Sequence, residues 1–213
     1  MNKLKRQFFW LTVWGISFGL IEAAVVFYLR QIYYPGDFQF PAVLMDDPIM
    51  KVELAREAVT IIILWAAAEL SRKTLAGRIA VFMFLFGVWD IFYYVFLKII
   101  IGWPEALTTW DILFLLPLIW AGPVWAPILV SLILIACGII LINFDEKEII
   151  LKPSLLDWMG EMAAAVLVVL SFILPGLKVA AGQIPGSYPW YIFLSGLIPG
   201  IIIFMRFIKK SDE

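Results

Sequence analysis

The sequence predicts an all-helical, polytopic bundle of about six transmembrane helices folded as one domain, and three observations predict it. Hydrophobic residues make up 63% of the 213, and charged residues only 15%, where a soluble domain is about half apolar and a quarter charged. Mean hydropathy is +0.97. The apolar residues gather in stretches long enough, at about 1.5 Å per residue, to cross a hydrocarbon core of roughly 30 Å.

Six spans follow from those stretches, at about 8–29, 54–71, 79–100, 111–143, 155–175 and 190–208. The first could pass for a signal peptide, because Lys3, Lys5 and Arg6 precede an apolar run. That run is longer than a signal core, and it closes on Tyr28, Leu29 and Arg30 rather than on small residues, so it reads as a retained helix. The fourth stretch is too long for one helix. Pro117, Gly122, Pro123 and Pro127 interrupt it, and irregular backbone at membrane depth is tolerated where it lines a cavity or is buried in protein. In transporters such broken segments often form the binding site.

Lysines and arginines set the orientation. With the N-terminus inside, eleven of the 16 fall on the cytoplasmic side: Lys3, Lys5, Arg6, Arg72, Lys73, Arg78, Lys147, Lys152, Arg206, Lys209 and Lys210. Arg30, Lys51, Arg56, Lys98 and Lys178 fall on the other. The expectation is a bacterial inner-membrane (plasma-membrane) protein with both termini cytoplasmic. The one long outer loop, about 30–53, carries Tyr33, Tyr34, Pro35, Gly36, Phe38, Phe40 and Pro41 before Asp46, Asp47 and Pro48. It reads either as an aromatic anchor at the interface or as a lid over an outer cavity.

Several chemistries are excluded or left without support. The chain has no histidine, which removes the commonest general base, the usual haem ligand and most zinc sites. Its single Cys137 allows no internal disulfide. A net charge of −1 and the lack of a basic tract give no reason to expect nucleic acid. No phosphate-binding loop, nucleophile elbow or metal-spaced cluster is present, so no cofactor and no metal are expected.

The candidate residues are the charges that the spans must carry. Asp90 sits in Gly87-Val-Trp-Asp-Ile-Phe-Tyr-Tyr94, in the middle of a predicted helix. An acid near the bilayer centre costs roughly 3 kcal/mol on insertion scales, so it marks a functional site by default. Gly87 and Tyr94 share its helical face; the glycine admits a neighbouring backbone and the tyrosine can donate a hydrogen bond. Glu22 follows Gly15 and Gly19 on one face, a close-packing pattern that turns the acid into the bundle. Arg56 is the expected counter-charge for Asp90, Glu22 or Asp111, because a guanidinium grips a carboxylate with two donors. Glu57 lies beside it, where it also suits a helix N-terminus. Asp111, in the Trp110-Asp-Ile echo of Trp89-Asp-Ile, reads as an N-cap with Thr108 and Thr109 as alternatives. Arg30 reads as a snorkelling flank residue, Glu69 as an i,i+4 partner of Lys73, and Glu161 as a secondary candidate one turn inside the fifth span. Trp89, Trp120 and Trp125 lie nearest the expected cavity, and the remaining tryptophans read mainly as interfacial belt residues.

These residues lead to an expected ligand site made of Glu22, Arg56, Glu57, Asp90, Tyr94 and Asp111, opening outward, for a cation, a proton or a small polar solute to be bound or transported. Two alternatives remain. One is an intramembrane enzyme that uses an acid pair on a lipid or isoprenoid; the other is a structural or assembly subunit whose acids lock helices. The partners expected are the lipid bilayer, that solute or lipid, and further copies of the chain through the Gly15/Gly19 or Gly196/Gly200 faces. In size, span number and cytoplasmic termini the chain resembles the substrate-binding subunits of energy-coupling-factor vitamin transporters, a resemblance of topology without a shared motif. Its tryptophan content resembles that of the tryptophan-rich sensory proteins, whose five-span pattern differs.

Overall fold

The computed structural model describes residues 3–34, 38, 40–42 and 45–212. The loop residues Pro35 and Gly36 singled out above lie outside that set. Six helices and one two-stranded hairpin follow in the order α1 (Lys3–Tyr33), α2 (Asp47–Ser71), α3 (Leu75–Ile101), β1 (Trp110–Phe114), β2 (Trp120–Pro123), α4 (Trp125–Glu146), α5 (Leu155–Ala180) and α6 (Trp190–Asp212). All but α2 are long and apolar enough to cross a membrane, which makes the chain a helical membrane protein. The helix α2 is as long as the others but spends its first half on Asp47, Lys51, Glu53, Arg56 and Glu57.

The core is built on α3. It carries the largest set of buried residues, from Gly77 to Leu97, and packs against α1, α2 and α4. Two glycines set how closely. A Cβ on Gly19 would lie 2.9 Å from the Trp89 carbonyl oxygen, and one on Gly87 would lie 2.5 Å from the Ser131 carbonyl oxygen. Gly15 likewise faces Val88, while Gly196 and Gly200 face α5 at Ala164. The close approach expected at both glycine pairs is thus made within the chain, and those faces are already covered there.

The helices α5 and α6 pair with each other, and α5 also packs on β2. Their backbones come close to α3 and α4 at few points, and side chains make the contact: Phe172 and Phe193 share a buried cluster with Ala126, and Phe204, Phe207 and Ile208 one with Leu141 and Ile142. Ser154 and Asp157 cap α5 reciprocally: the Asp157 amide donates to Ser154 Oγ at 3.2 Å and the Ser154 amide to Asp157 Oδ2 at 2.8 Å.

The stretch 111–143, expected as a proline-broken helical span, divides differently. Residues 110–123 form an antiparallel hairpin, and helix begins only at Trp125. Trp110 pairs with Pro123, Asp111 with Gly122 and Ile112 with Ala121, with an irregularity before Phe114. Pro117 in the turn and Pro123 at the strand end each lack an amide and cannot extend a helix, while Pro127 sits in the first turn of α4, where its missing donor costs nothing. The hairpin tip rests on α5 at Gly176, which gives the Ile119 carbonyl room. Asp111 is therefore a strand residue, not a helix cap.

The start of α1 and the ends of α2 and α4 are tied by charge. Arg72 donates to Asp145 (3.1 Å), Glu146 (2.9 Å) and Gln7 (2.8 Å), joining the ends of α1, α2 and α4. Glu69 pairs with Arg78 at 2.9 Å rather than with the expected Lys73.

Candidate functional site

All six sequence candidates, Glu22, Arg56, Glu57, Asp90, Tyr94 and Asp111, line one chamber of about 130 Å³. Its walls come from α1, α2, α3 and the hairpin, with Tyr34, Phe38, Ala42 and Met45 of the loop between α1 and α2. The loop thus contributes to the chamber wall, and it is also tied down where the Asp46 amide donates to the Tyr33 hydroxyl at 3.3 Å.

Each acid is held by a different device. Arg56 forms an ion pair with Glu22 and grips Glu53, one turn before it, through Nε (3.0 and 2.9 Å) and Nη2 (2.7 Å). The arginine thus links α1 to α2. Its expected partner set of Glu22, Asp90 or Asp111 narrows to Glu22, with Glu53 as a second acid that only the folded helix brings into range. Thr60 Oγ1 adds a 3.5 Å donor to Glu22.

Glu57 does not serve the start of its own helix. Both of its carboxylate oxygens accept the Leu115 backbone amide, at 3.1 and 2.9 Å. Leu115 follows β1, where the hairpin leaves an amide unpaired, and a lost backbone hydrogen bond in a water-poor interior costs several kcal/mol. The carboxylate supplies the missing acceptor.

Asp111 accepts from Tyr94 Oη at 3.2 Å and from Arg30 Nη2 at 3.3 Å. Arg30 is not a snorkelling residue: it is only 7% exposed. Its guanidinium carbon lies 3.7 Å from the centre of the Trp103 ring and 4.6 Å from that of Phe38, a stack that a planar cation favours. Its Nη1 is buried with no hydrogen-bond partner among the described residues.

Asp90 takes its donor from α4. Ser131 Oγ lies 2.8 Å from Asp90 Oδ2, whereas Tyr94, the donor expected from helical spacing, reaches Asp111. Gly87 makes the Ser131 contact, since it lies one turn before Asp90 on the same face and lets the Ser131 backbone close in. Lys98, at the end of α3, turns away and donates to the carbonyls of Gly102 (2.8 Å) and Pro104 (2.7 Å).

Three participants were not visible from sequence. Glu53 and Ser131 fall within one turn or one packing contact of a named candidate, and only tertiary structure puts Arg30 beside a strand acid. Of the tryptophans, Trp89 lines the chamber and Trp120 a second cavity. Trp125 instead stacks on Trp190, with ring centres 3.7 Å apart and planes 8° from parallel.

Chemically, the chamber gathers five carboxylates and two guanidiniums. An excess of negative charge in low dielectric attracts cations and donors far more strongly than it would in bulk water. Among the described residues no cluster of three or more acids, cysteines or histidines is spaced to hold a metal ion. No family model matches this chain, and neither a curated protein nor a solved structure matches it.

Proposed function

We propose that the chain is a multi-pass membrane protein that binds a small cationic or strongly hydrogen-bond-donating solute in this chamber, as a receptor or transporter. The observation that carries the reading is the convergence of five acids from α1, α2, α3 and the hairpin on one chamber with only two arginines among them. Intramembrane acids are expensive and are kept where they handle charge. Asp90 is the acid free for the solute, because Ser131 occupies only one of its oxygens and neither arginine is paired with it. Glu22, Glu53 and Arg56 form the supporting wall.

In the same reading α2 is a sixth span. Glu53, Arg56 and Glu57 of its first half face the chamber, which is why composition alone understates it. The lysine and arginine balance places both termini in the cytoplasm of a bacterial inner membrane, and the chamber opens toward the other side.

A second reading draws on the ion pairs themselves. Glu22–Arg56–Glu53 and Arg30–Asp111–Tyr94 bind α1 to α2 and α1 to the hairpin and α3, as they would if their role were only to lock the bundle in an assembly subunit.

Melting of purified protein in nanodiscs against sodium, potassium, ammonium, choline and ethanolammonium separates the two. A solute site predicts that at least one cation raises the melting temperature of the wild type and fails to raise that of Asp90→Asn. A panel without effect on the wild type, or with equal effect on both proteins, leaves the structural reading standing.

A further inference from the structure

A second cavity, of about 410 Å³, lies below the chamber, between α3 and α4 on one side and α5 and α6 on the other. It is left where α5 and α6, with α5 also on the hairpin, meet α3 and α4 through side chains near the two ends rather than by close backbone approach. Its size falls in the roughly 300–1,000 Å³ range of small-molecule sites. Asp90 and Leu113 belong to its wall and to that of the chamber.

The lining has an uneven chemistry. Six aromatic rings face it, from Phe82, Phe86, Phe114, Trp120, Phe172 and Phe204. Asp90 and Glu161 are its charged residues; no lysine or arginine lines it. Glu161 enters from α5 one turn beyond the Ser154–Asp157 cap, and Gly200 of α6 leaves space beside its carboxylate. Its Oε1 is buried without a hydrogen-bond partner among the described residues. A buried acid oxygen without a donor is costly, and structural carboxylates are normally paired.

We propose that this cavity binds a lipophilic organic cation, with its positive centre at the unpartnered Glu161 oxygen and its apolar body against the aromatic walls. Charge decides the class: two acids and no base disfavour an anion and waste a neutral occupant. Shape decides the rest, since an inorganic ion would leave the apolar volume empty. Aromatic faces add attraction for a diffuse cation, the chemistry by which quaternary ammonium groups are recognised. The wide backbone spacing between the two helix pairs offers such a molecule a route from the bilayer. The site shares Asp90 with the chamber but has its own acid, Glu161, and its own aromatic walls, and it stands whether or not the chamber takes a solute.

Tetraphenylphosphonium and tetraphenylborate test it, because they share shape and differ in the sign of charge. Equilibrium binding to the full chain in nanodiscs, with empty nanodiscs subtracted, is expected to saturate for the phosphonium and not for the borate. Glu161→Gln is expected to weaken phosphonium binding at least tenfold while leaving the response to the chamber cations unchanged. Ala165→Trp, which fills the cavity from α5, is expected to do the same without altering any acid. Equal binding of the two ions, or phosphonium binding by both variants at wild-type strength, overturns the proposal. Should Glu161→Gln fail to fold, retained binding by Ala165→Trp alone overturns it. Phosphonium binding without any response to the small cations rejects the chamber reading and keeps this one; the reverse pattern rejects this one alone.

Discussion

Replacing Gly87 by alanine tests how the fold delivers a donor to the intramembrane acid. The added Cβ would sit 2.5 Å from the Ser131 carbonyl oxygen and 2.7 Å from Ile135 Cγ1, whereas ordinary contact begins at 3.4 Å. The first contact is with backbone, so α4 must retreat by the difference, about 0.9 Å, rather than rotate a side chain away. Asp90 lies on the same face of α3, so the same retreat stretches the 2.8 Å bond from Ser131 Oγ to about 3.7 Å, beyond hydrogen-bonding range. Overpacking costs about 1–3 kcal/mol, and a hydrogen bond to a charged group contributes about 1.5–3 kcal/mol. Unfolding in mixed detergent–SDS micelles should therefore show a loss of roughly 2.5–6 kcal/mol from the two sources together. Ser131→Ala should show only the hydrogen-bond share. If Gly87→Ala unfolds like the wild type, the packing of α4 on Asp90 is not as described and the reasoning fails.

Two further substitutions probe the walls of the chamber. Arg30→Ala strands Asp111 as a buried acid without its cation, and should cost about 3–5 kcal/mol in the same unfolding assay; Arg30→Lys keeps the charge but loses the planar stacking on the rings, and should recover only part of the loss. Glu57→Gln leaves an acceptor for the Leu115 amide but removes its charge, and should cost about 1 kcal/mol; hydrogen exchange at the Leu115 amide should quicken while exchange in the middle of α3 stays unchanged.

The sequence disclosed the membrane class through length and hydropathy alone, because a span must be long and apolar whatever it packs against. Asp90, Glu22 and Arg56 were legible for the same reason: a charge in an apolar stretch stands out, and the glycines one turn away marked which face turns inward. The hairpin at 110–123 was not legible. Trp110 to Phe114 is as apolar as a helix segment, and prolines announce a break without saying whether helix or strand follows. Its form depends on α5 offering Gly176 beneath the tip and on Glu57 meeting an unpaired amide, both distant in sequence. Arg30 was misjudged because an arginine at a helix end looks the same whether it reaches for water or for a strand acid. Glu161 carried a weak signal that acquired weight only when the cavity beside it, free of basic residues, came into view.

The central claim is that Asp90 is present to hold a solute rather than to hold the bundle. The two roles predict opposite stability changes for Asp90→Asn. An asparagine oxygen still accepts from Ser131, and the cost of burying a charge disappears. A ligand acid kept at the expense of stability therefore predicts a melting temperature, measured without added cation, that is unchanged or higher, together with loss of the cation-induced rise. A variant that melts several degrees lower and still responds to the cations would contradict the account and make Asp90 a structural lock.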